Sequence, residues 1–268
     1  MPDSLELQSV LPGLQHLRLF KRTLFFPRLD STNACLMRLA EQGEPEGTVV
    51  LTDEQTAGRG RFGRTWTAPP GTSLLVSVLL RPKVGLADSS KLSLVAALAV
   101  RRTLQEVAEL SSAIKWPNDV LINGRKVCGI LAETTTSTGG GTMPALVLGI
   151  GLNVNQDRQD FPVELRDQAT SLRIETGREQ NRPLLLQALL KSLEDLILAF
   201  VQKGFLPFLD ELRRSSAVIG KRIVVRVGAY SVEGVVDDLD DEGRLLMRMD
   251  TGSQTVLNSG EISSIRSL

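Results

Sequence analysis

The feature that most constrains this chain is a change of character after Ser215. From Lys221 onward it offers only short alternating apolar and polar runs: Ile223–Val227, Ser231–Val236, Leu245–Met249, Thr255–Leu257 and Ile262–Ile265. Roughly 50 residues of that kind fold as a small barrel or sandwich, because each run is too short for a helix and must pair with its neighbours. Before the break, strand-length and helix-length patterns are mixed. The 268 residues therefore divide into a larger α+β unit, 1–217, and a small β-barrel unit, 218–268.

Within the larger unit, strands are expected at Phe25–Leu29, Thr48–Thr52, Ser73–Leu80, Ala113–Lys115, Asp119–Ile122, Lys126–Glu133 and Ala145–Ile150. Asn123-Gly124 lies between two of them and signals a type I′ hairpin. Asp30-Ser31-Thr32-Asn33 caps a helix to about Glu41, and Gly43 stops it. Further helices are expected over Ser89–Leu110, over Leu184–Phe200 with Pro183 near its first position, and over Pro207–Arg214.

Composition removes several kinds of chemistry. Lys+Arg and Asp+Glu balance at 31 each, so no net field draws the chain to nucleic acid or to an anionic membrane. Cys35 and Cys128 supply neither a disulfide framework nor metal-ligand spacing. No signal peptide or membrane-length apolar run is visible, and the cytoplasm is the default location. His16 is the only histidine, close to a terminus and read as a surface residue, so a histidine base or histidine-rich metal site is not expected. Arg, Lys, Asp and backbone amides are left to do the work.

Four motifs carry that chemistry. In Gly58-Arg59-Gly60-Arg61-Phe62-Gly63-Arg64 the glycines admit a ligand close to the backbone, and the arginines match carboxylate or phosphate oxygens. The spacing is not that of a Walker loop. A solvated or RNA-contacting RG segment is the alternative. In Lys115-Trp116-Pro117-Asn118-Asp119 the proline restricts Trp116 and sets the directions of the next two side chains. Trp-Pro packing with an Asx turn would produce the same string.

In Lys126-Val127-Cys128-Gly129-Ile130-Leu131-Ala132-Glu133, alternation puts Lys126, Cys128 and Ile130 on one face. Lys126 is then either a snorkelling edge residue or a buried cation awaiting an anion. Gly149-Ile150-Gly151-Leu152-Asn153-Val154-Asn155 could be a bulge or a backbone wall against a flat ligand. Asp238–Gly243 starts like a calcium loop, but its twelfth position is Met249, so it reads as an acidic hairpin tip.

In this order and spacing, with Ser31-Thr32-Asn33 and Gly260-Glu261-Ile262-Ser263 added, the motifs resemble those of the biotin–protein ligases over nearly the whole chain. The resemblance implies a mixed-sheet catalytic domain with helices packed on it and an SH3-like C-terminal barrel. It implies that ATP activates biotin to biotinyl-AMP, which is then transferred to a lysine of a biotin carboxyl carrier domain of acetyl-CoA carboxylase. ATP, Mg²⁺ and biotin would be required. The oligomeric state is left open, a homodimer included. About 24 residues precede the first catalytic strand, so a member without operator binding is expected.

The resemblance also assigns residues. Ser31, Thr32, Asn33 and Gln55 would hold the ureido ring, with helix capping a second role for Ser31 and Asn33. Arg59, Gly60 and Arg61 would line the biotin tail beside Gly129, and Arg61 would reach the carboxylate and α-phosphate. Lys126 would sit at the carboxylate–phosphate junction. Arg64 and Lys115 would hold the triphosphate, and Trp66, Asn118 and Asn153 would contact ATP. Asp119 would face nucleotide, metal or the incoming lysine, as general base or as an ion-pair partner. The rivals are a lipoyl or octanoyl transferase, with Cys128 as nucleophile, and an RNA-binding module using the RG loop.

Overall fold

The computed structural model describes residues 11–14, 16–81, 88–135 and 145–266. The larger unit is built on β1 (Arg22–Leu29), β2 (Thr48–Gln55), β3 (Ser73–Leu80), β4 (Ala113–Lys115), β5 (Asp119–Ile122), β6 (Arg125–Thr134) and β7 (Leu146–Asn153). They form one seven-stranded sheet in the order β1-β2-β3-β7-β6-β5-β4. Only β1 and β2 run parallel; every other neighbouring pair is antiparallel.

Side-chain alternation gives this sheet two unlike faces. Val49 and Leu51 of β2, Leu74, Val76, Val78 and Leu80 of β3, and Leu146, Leu148, Ile150 and Leu152 of β7 all enter the main core. That core is closed by α2 (Ser89–Ala108) and α4 (Arg182–Lys203), which pack on each other. On the other face, Val50, Leu79 and Val147 pack under α1 (Thr32–Glu41) with Cys35, Leu36 and Ala40. The rest of that second face is left for a cavity.

Helix ends follow local chemistry. Ser31 caps α1 by accepting from Ala34 N, and Asn181 caps α4 by accepting from Leu184 N, with proline in the first turn. The expected helix over Pro207–Arg214 divides into a 3₁₀ turn, Leu206–Phe208, and α5, Leu209–Arg214. A short helix absent from the sequence reading, α3 (Leu172–Thr176), is capped by Ser171 and ended by Gly177 in the left-handed region.

Beyond α5, β8 (Arg222–Val227), β9 (Tyr230–Leu239), β10 (Leu245–Arg248), β11 (Gln254–Leu257) and β12 (Glu261–Arg266) form an antiparallel sheet in the order β11-β10-β9-β8-β12. No ladder joins β11 to β12 among the described residues. The acidic turn between β9 and β10 is closed by Asp240, whose carboxylate accepts from the amides of Glu242 and Arg244. The buried Trp116 indole donates to Gly243 O at 3.1 Å, and Lys91 pairs with Glu242, so this turn is fastened to the larger unit. No helix of the described residues is long and apolar enough to cross a membrane.

A fully buried ion pair ties α4 to the sheet. Arg182 Nη1 meets Asp53 Oδ1 at 2.8 Å and the Ser73 carbonyl at 3.3 Å. Removing one member leaves a desolvated charge behind. Arg182→Met should therefore lower unfolding stability by about 3–5 kcal/mol in urea denaturation followed by circular dichroism.

Candidate active site

Two glycines and a tryptophan make the floor. Gly129 of β6 and Gly151 of β7 are paired across the sheet, and Trp66 lies over both. A Cβ at Gly151 would stand 2.7 Å from the Trp66 ring, and one at Gly129 2.9 Å, closer than atoms can pack. Gly149, next on the same face of β7, leaves room for Asn33 in the same way: a Cβ there would fall onto Asn33 Oδ1. Strand alternation with side chains deleted thus hollows out a cavity of about 470 Å³, counted to its open mouth.

One wall is neutral and polar. Thr32 donates from its amide and its hydroxyl to Gln55 Oε1, at 2.9 and 3.1 Å. Ser77 Oγ lies 2.8 Å from Thr32 Oγ1 and 2.6 Å from Asn33 Oδ1. Asn33 Nδ2 donates to Leu131 O and to Glu133. The wall is an ordered set of donors and acceptors with no cation, suited to a neutral amide-like ligand.

The opposite wall is cationic. The Gly58–Arg64 segment is an ordered hairpin: Arg59 bridges to Thr65, Gly60 N donates to Arg64 O, and Trp66 N donates to Gly58 O. Its tip, Phe62, takes left-handed backbone angles (φ 56°) and is 60% exposed. Arg61 turns inward, donating to Asn118 Oδ1 at 2.9 Å and Gly260 O at 3.2 Å. Lys126 Nζ pairs with Asp119 Oδ1 at 2.7 Å and lies 5.5 Å from the Trp66 ring centre.

Burial pushes the Lys115 ammonium below its ordinary pKa; Asp119 opposes the shift, while Lys126 and Arg64 add to it. Burial lowers Arg61 likewise, against Asp119. The site gathers more positive charge than it can neutralise, an arrangement that favours an anion.

The expected single face for Lys126, Cys128 and Ile130 is overturned. Leu121 faces Lys126 while Val120 faces Cys128, so Val127 is an extra residue, a β-bulge that resets the alternation. Cys128 and Ile130 enter the core, whereas Lys126 joins Gly129 and Leu131 on the cavity wall. The bulge is clamped from outside: Lys126 N donates to Gln168 O, and Thr170 N donates to Lys126 O. Burial raises the Cys128 thiol far above its ordinary pKa, which removes it as a nucleophile.

Of the residues singled out in the sequence, Ser31, Thr32, Asn33, Gln55, Arg59, Gly60, Arg61, Trp66, Asn118, Lys126 and Gly129 all line this one cavity. Arg64 points elsewhere, pairing with Glu261 at the start of β12. Trp66, expected with the nucleotide, lies in the glycine-floored part. Asn153 is off the cavity wall, buried with its amide donating to Thr170 O at 3.0 Å. Exposed His16 takes no part. Ser77 and Glu133 were not singled out; a lone hydroxyl in the middle of apolar Ser73–Leu80 was the available signal for the first.

Comparison with known proteins fits this geometry. Residues 25–153 match the biotin/lipoate A/B protein ligase family, and residues 218–264 match the biotin protein ligase C-terminal domain. The bifunctional ligase/repressor BirA of Bacillus subtilis is 34% identical over 96% of this chain and 79% of its own. The biotin–[acetyl-CoA-carboxylase] ligase of Mycobacterium tuberculosis is 37% identical over 88% of this chain and 86% of its own. A solved structure of the Aquifex aeolicus biotin protein ligase, in complex with biotin and ATP, superposes with a TM-score of 0.79 at 33% identity. It covers 93% of this chain and 100% of that one. The chain belongs to the biotin/lipoate protein ligase family, and within it to the biotin protein ligases.

Lys115 gives a stability test of the charge crowding. Its folded-state pKa is depressed, so holding it charged costs stability below that pKa, and the cost fades as pH rises toward the unfolded value. Lys115→Met should raise the urea midpoint at pH 7, and its advantage over wild type should shrink in alkaline buffer.

Proposed function

We propose that this protein activates biotin with ATP and transfers it to a lysine of a biotin carboxyl carrier domain of acetyl-CoA carboxylase. The observation that carries this reading is one cavity with a neutral amide-matching wall on one side and the inward cations Arg61 and Lys126 on the other. A ureido ring fits the first and a carboxylate the second. The buried Cys128 counts against the octanoyl-transferase rival.

In the first step a biotin carboxylate oxygen bonds to the α-phosphorus of ATP, and the bond from that phosphorus to the bridging oxygen breaks, releasing pyrophosphate. Two anions must approach, and Arg61 with Lys126 offset their repulsion where charge builds up. Asn118 aims Arg61, and the bulge with its Gln168–Thr170 clamp aims Lys126. Lys115 and Arg64 extend the positive field toward the triphosphate, Arg64 by exchanging Glu261 for phosphate. Mg²⁺ would supply further positive charge at the phosphates, and Asp119, a carboxylate beside Lys126, is the side chain that would face it.

In the second step the acceptor lysine's neutral amine bonds to the biotinyl carbonyl carbon, and the bond from that carbon to the AMP oxygen breaks. Asp119, paired with Lys126 at 2.7 Å, would take the amine's proton or orient the amine. Because it rests on Lys126, orientation alone is sufficient for an already activated acyl group. The division of labour follows the chain: 1–217 supplies the catalytic domain and 218–268 a small domain whose Gly260 carbonyl and Glu261 carboxylate hold the arginine hairpin.

The test is ATP–pyrophosphate exchange, expected to depend on biotin; dependence on lipoate, or on no added acid, overturns the reading. Lys126→Ala should reduce exchange by about 100-fold with the circular dichroism spectrum unchanged. Arg61→Gly should release biotinyl-AMP, read as increased labelling of bystander lysines on an added unrelated protein.

A further inference from the structure

The carboxylate of Glu133, near the end of β6, has no part in the steps above, yet it touches both walls of the site. Its Oε2 accepts from Asn33 Nδ2 at 2.9 Å, and its Oε1 pairs with Arg59 Nη2 at 3.0 Å. Asn33 Nδ2 has two hydrogens, one for Glu133 and one for the Leu131 carbonyl, so the carboxylate helps fix which way that amide faces. Arg59 stands at the base of the arginine hairpin, bridged to Thr65. Glu133 and Leu131 line the open outer cavity beneath the same hairpin. One side chain therefore joins the neutral cradle to the cationic loop.

We propose that Glu133 is a positioning residue that latches the arginine hairpin shut over bound biotin and its adenylate; the proposal rests on the biotin-activating reading. The Arg59 side chain is 50% exposed and that of Glu133 20%, so the ion pair lies at the rim, where water weakens it enough for repeated opening. When it opens, Oε2 remains on Asn33. The carboxylate is thus already placed for reclosure, and the hairpin returns to the same position over the cradle. Arg61, two residues along, is carried in and out with it.

Glu133→Gln is the informative change, since its amide oxygen can still accept from Asn33 while the charge that holds Arg59 is gone. Wild type, E133Q, R59A and the double variant are loaded with labelled biotin and ATP, freed of excess, and followed for release of labelled biotinyl-AMP. E133Q and R59A should each release it about 1.5- to fivefold faster, the scale of a rim ion pair. The double variant should release no faster than the faster single one. Raising NaCl should speed release from wild type by a larger factor than from either single variant, a difference that mere loosening of the fold would not produce. Release from E133Q at the wild-type rate, or multiplying effects in the double variant, overturns the latch. Should E133Q fail to fold, R59A carries the salt test alone. Wild type that forms no adenylate from biotin and ATP overturns the activity reading, and the latch with it.

Discussion

Arg61, Lys115 and Lys126 share the neighbourhood of a single carboxylate, Asp119, at the edge of a partly enclosed cavity. Like charges repel, and burial penalises Arg61 and Lys115, so the surroundings must hold the three in place. Asn118 and the carbonyl of Gly260, just before β12, fix Arg61, and a bulge clamped by Gln168 and Thr170 fixes Lys126. The buried Trp116 keeps the smaller sheet docked through Gly243. Much of the architecture outside the core is support for a charge arrangement that is unfavourable until an anion enters it.

The neutral half of the site solves the opposite problem. A polar ligand without charge is recognised only if each donor meets an acceptor, and a mobile wall would accept many ligands. Thr32, Asn33, Gln55 and Ser77 hydrogen-bond one another before any ligand arrives, which reduces the ordering cost on binding. Gly149 is part of that arrangement, because any side chain there would displace Asn33.

Much of this was legible in the residues. Ser73–Leu80, Ala113–Lys115 and Asp119–Ile122 are strands with the expected limits, because each is a short apolar run between strong turn signals. The Asn123-Gly124 hairpin has both residues at positive φ, as a type I′ turn demands. What could not be read depended on partners distant in sequence. Val127 becomes a bulge only because β5 and the 168–170 segment compete for the backbone around it. Glu133 looks like any polar strand end until Asn33, 100 positions away, arrives beside it. Asn153 shares its face of β7 with Gly149 and Gly151, yet Thr170 and Gln156 hydrogen-bond its amide and cover it.

The hydrogen bond from Arg61 to Gly260 spans 199 residues. A chain emerging from the ribosome at roughly 5–20 residues per second needs on the order of 10–40 s to pass from one partner to the other. Late in that interval the arginine hairpin and the lysine strand can already be folded, while the carbonyl that steadies Arg61 has not yet been synthesised. A nascent chain at this stage would present an unsteadied cationic pocket to the metabolites around it, and the site would be completed only when β12 joins its sheet. The timing of competence is thus written into the order of the elements, with this contact to Arg61 supplied by the residue that leads into β12.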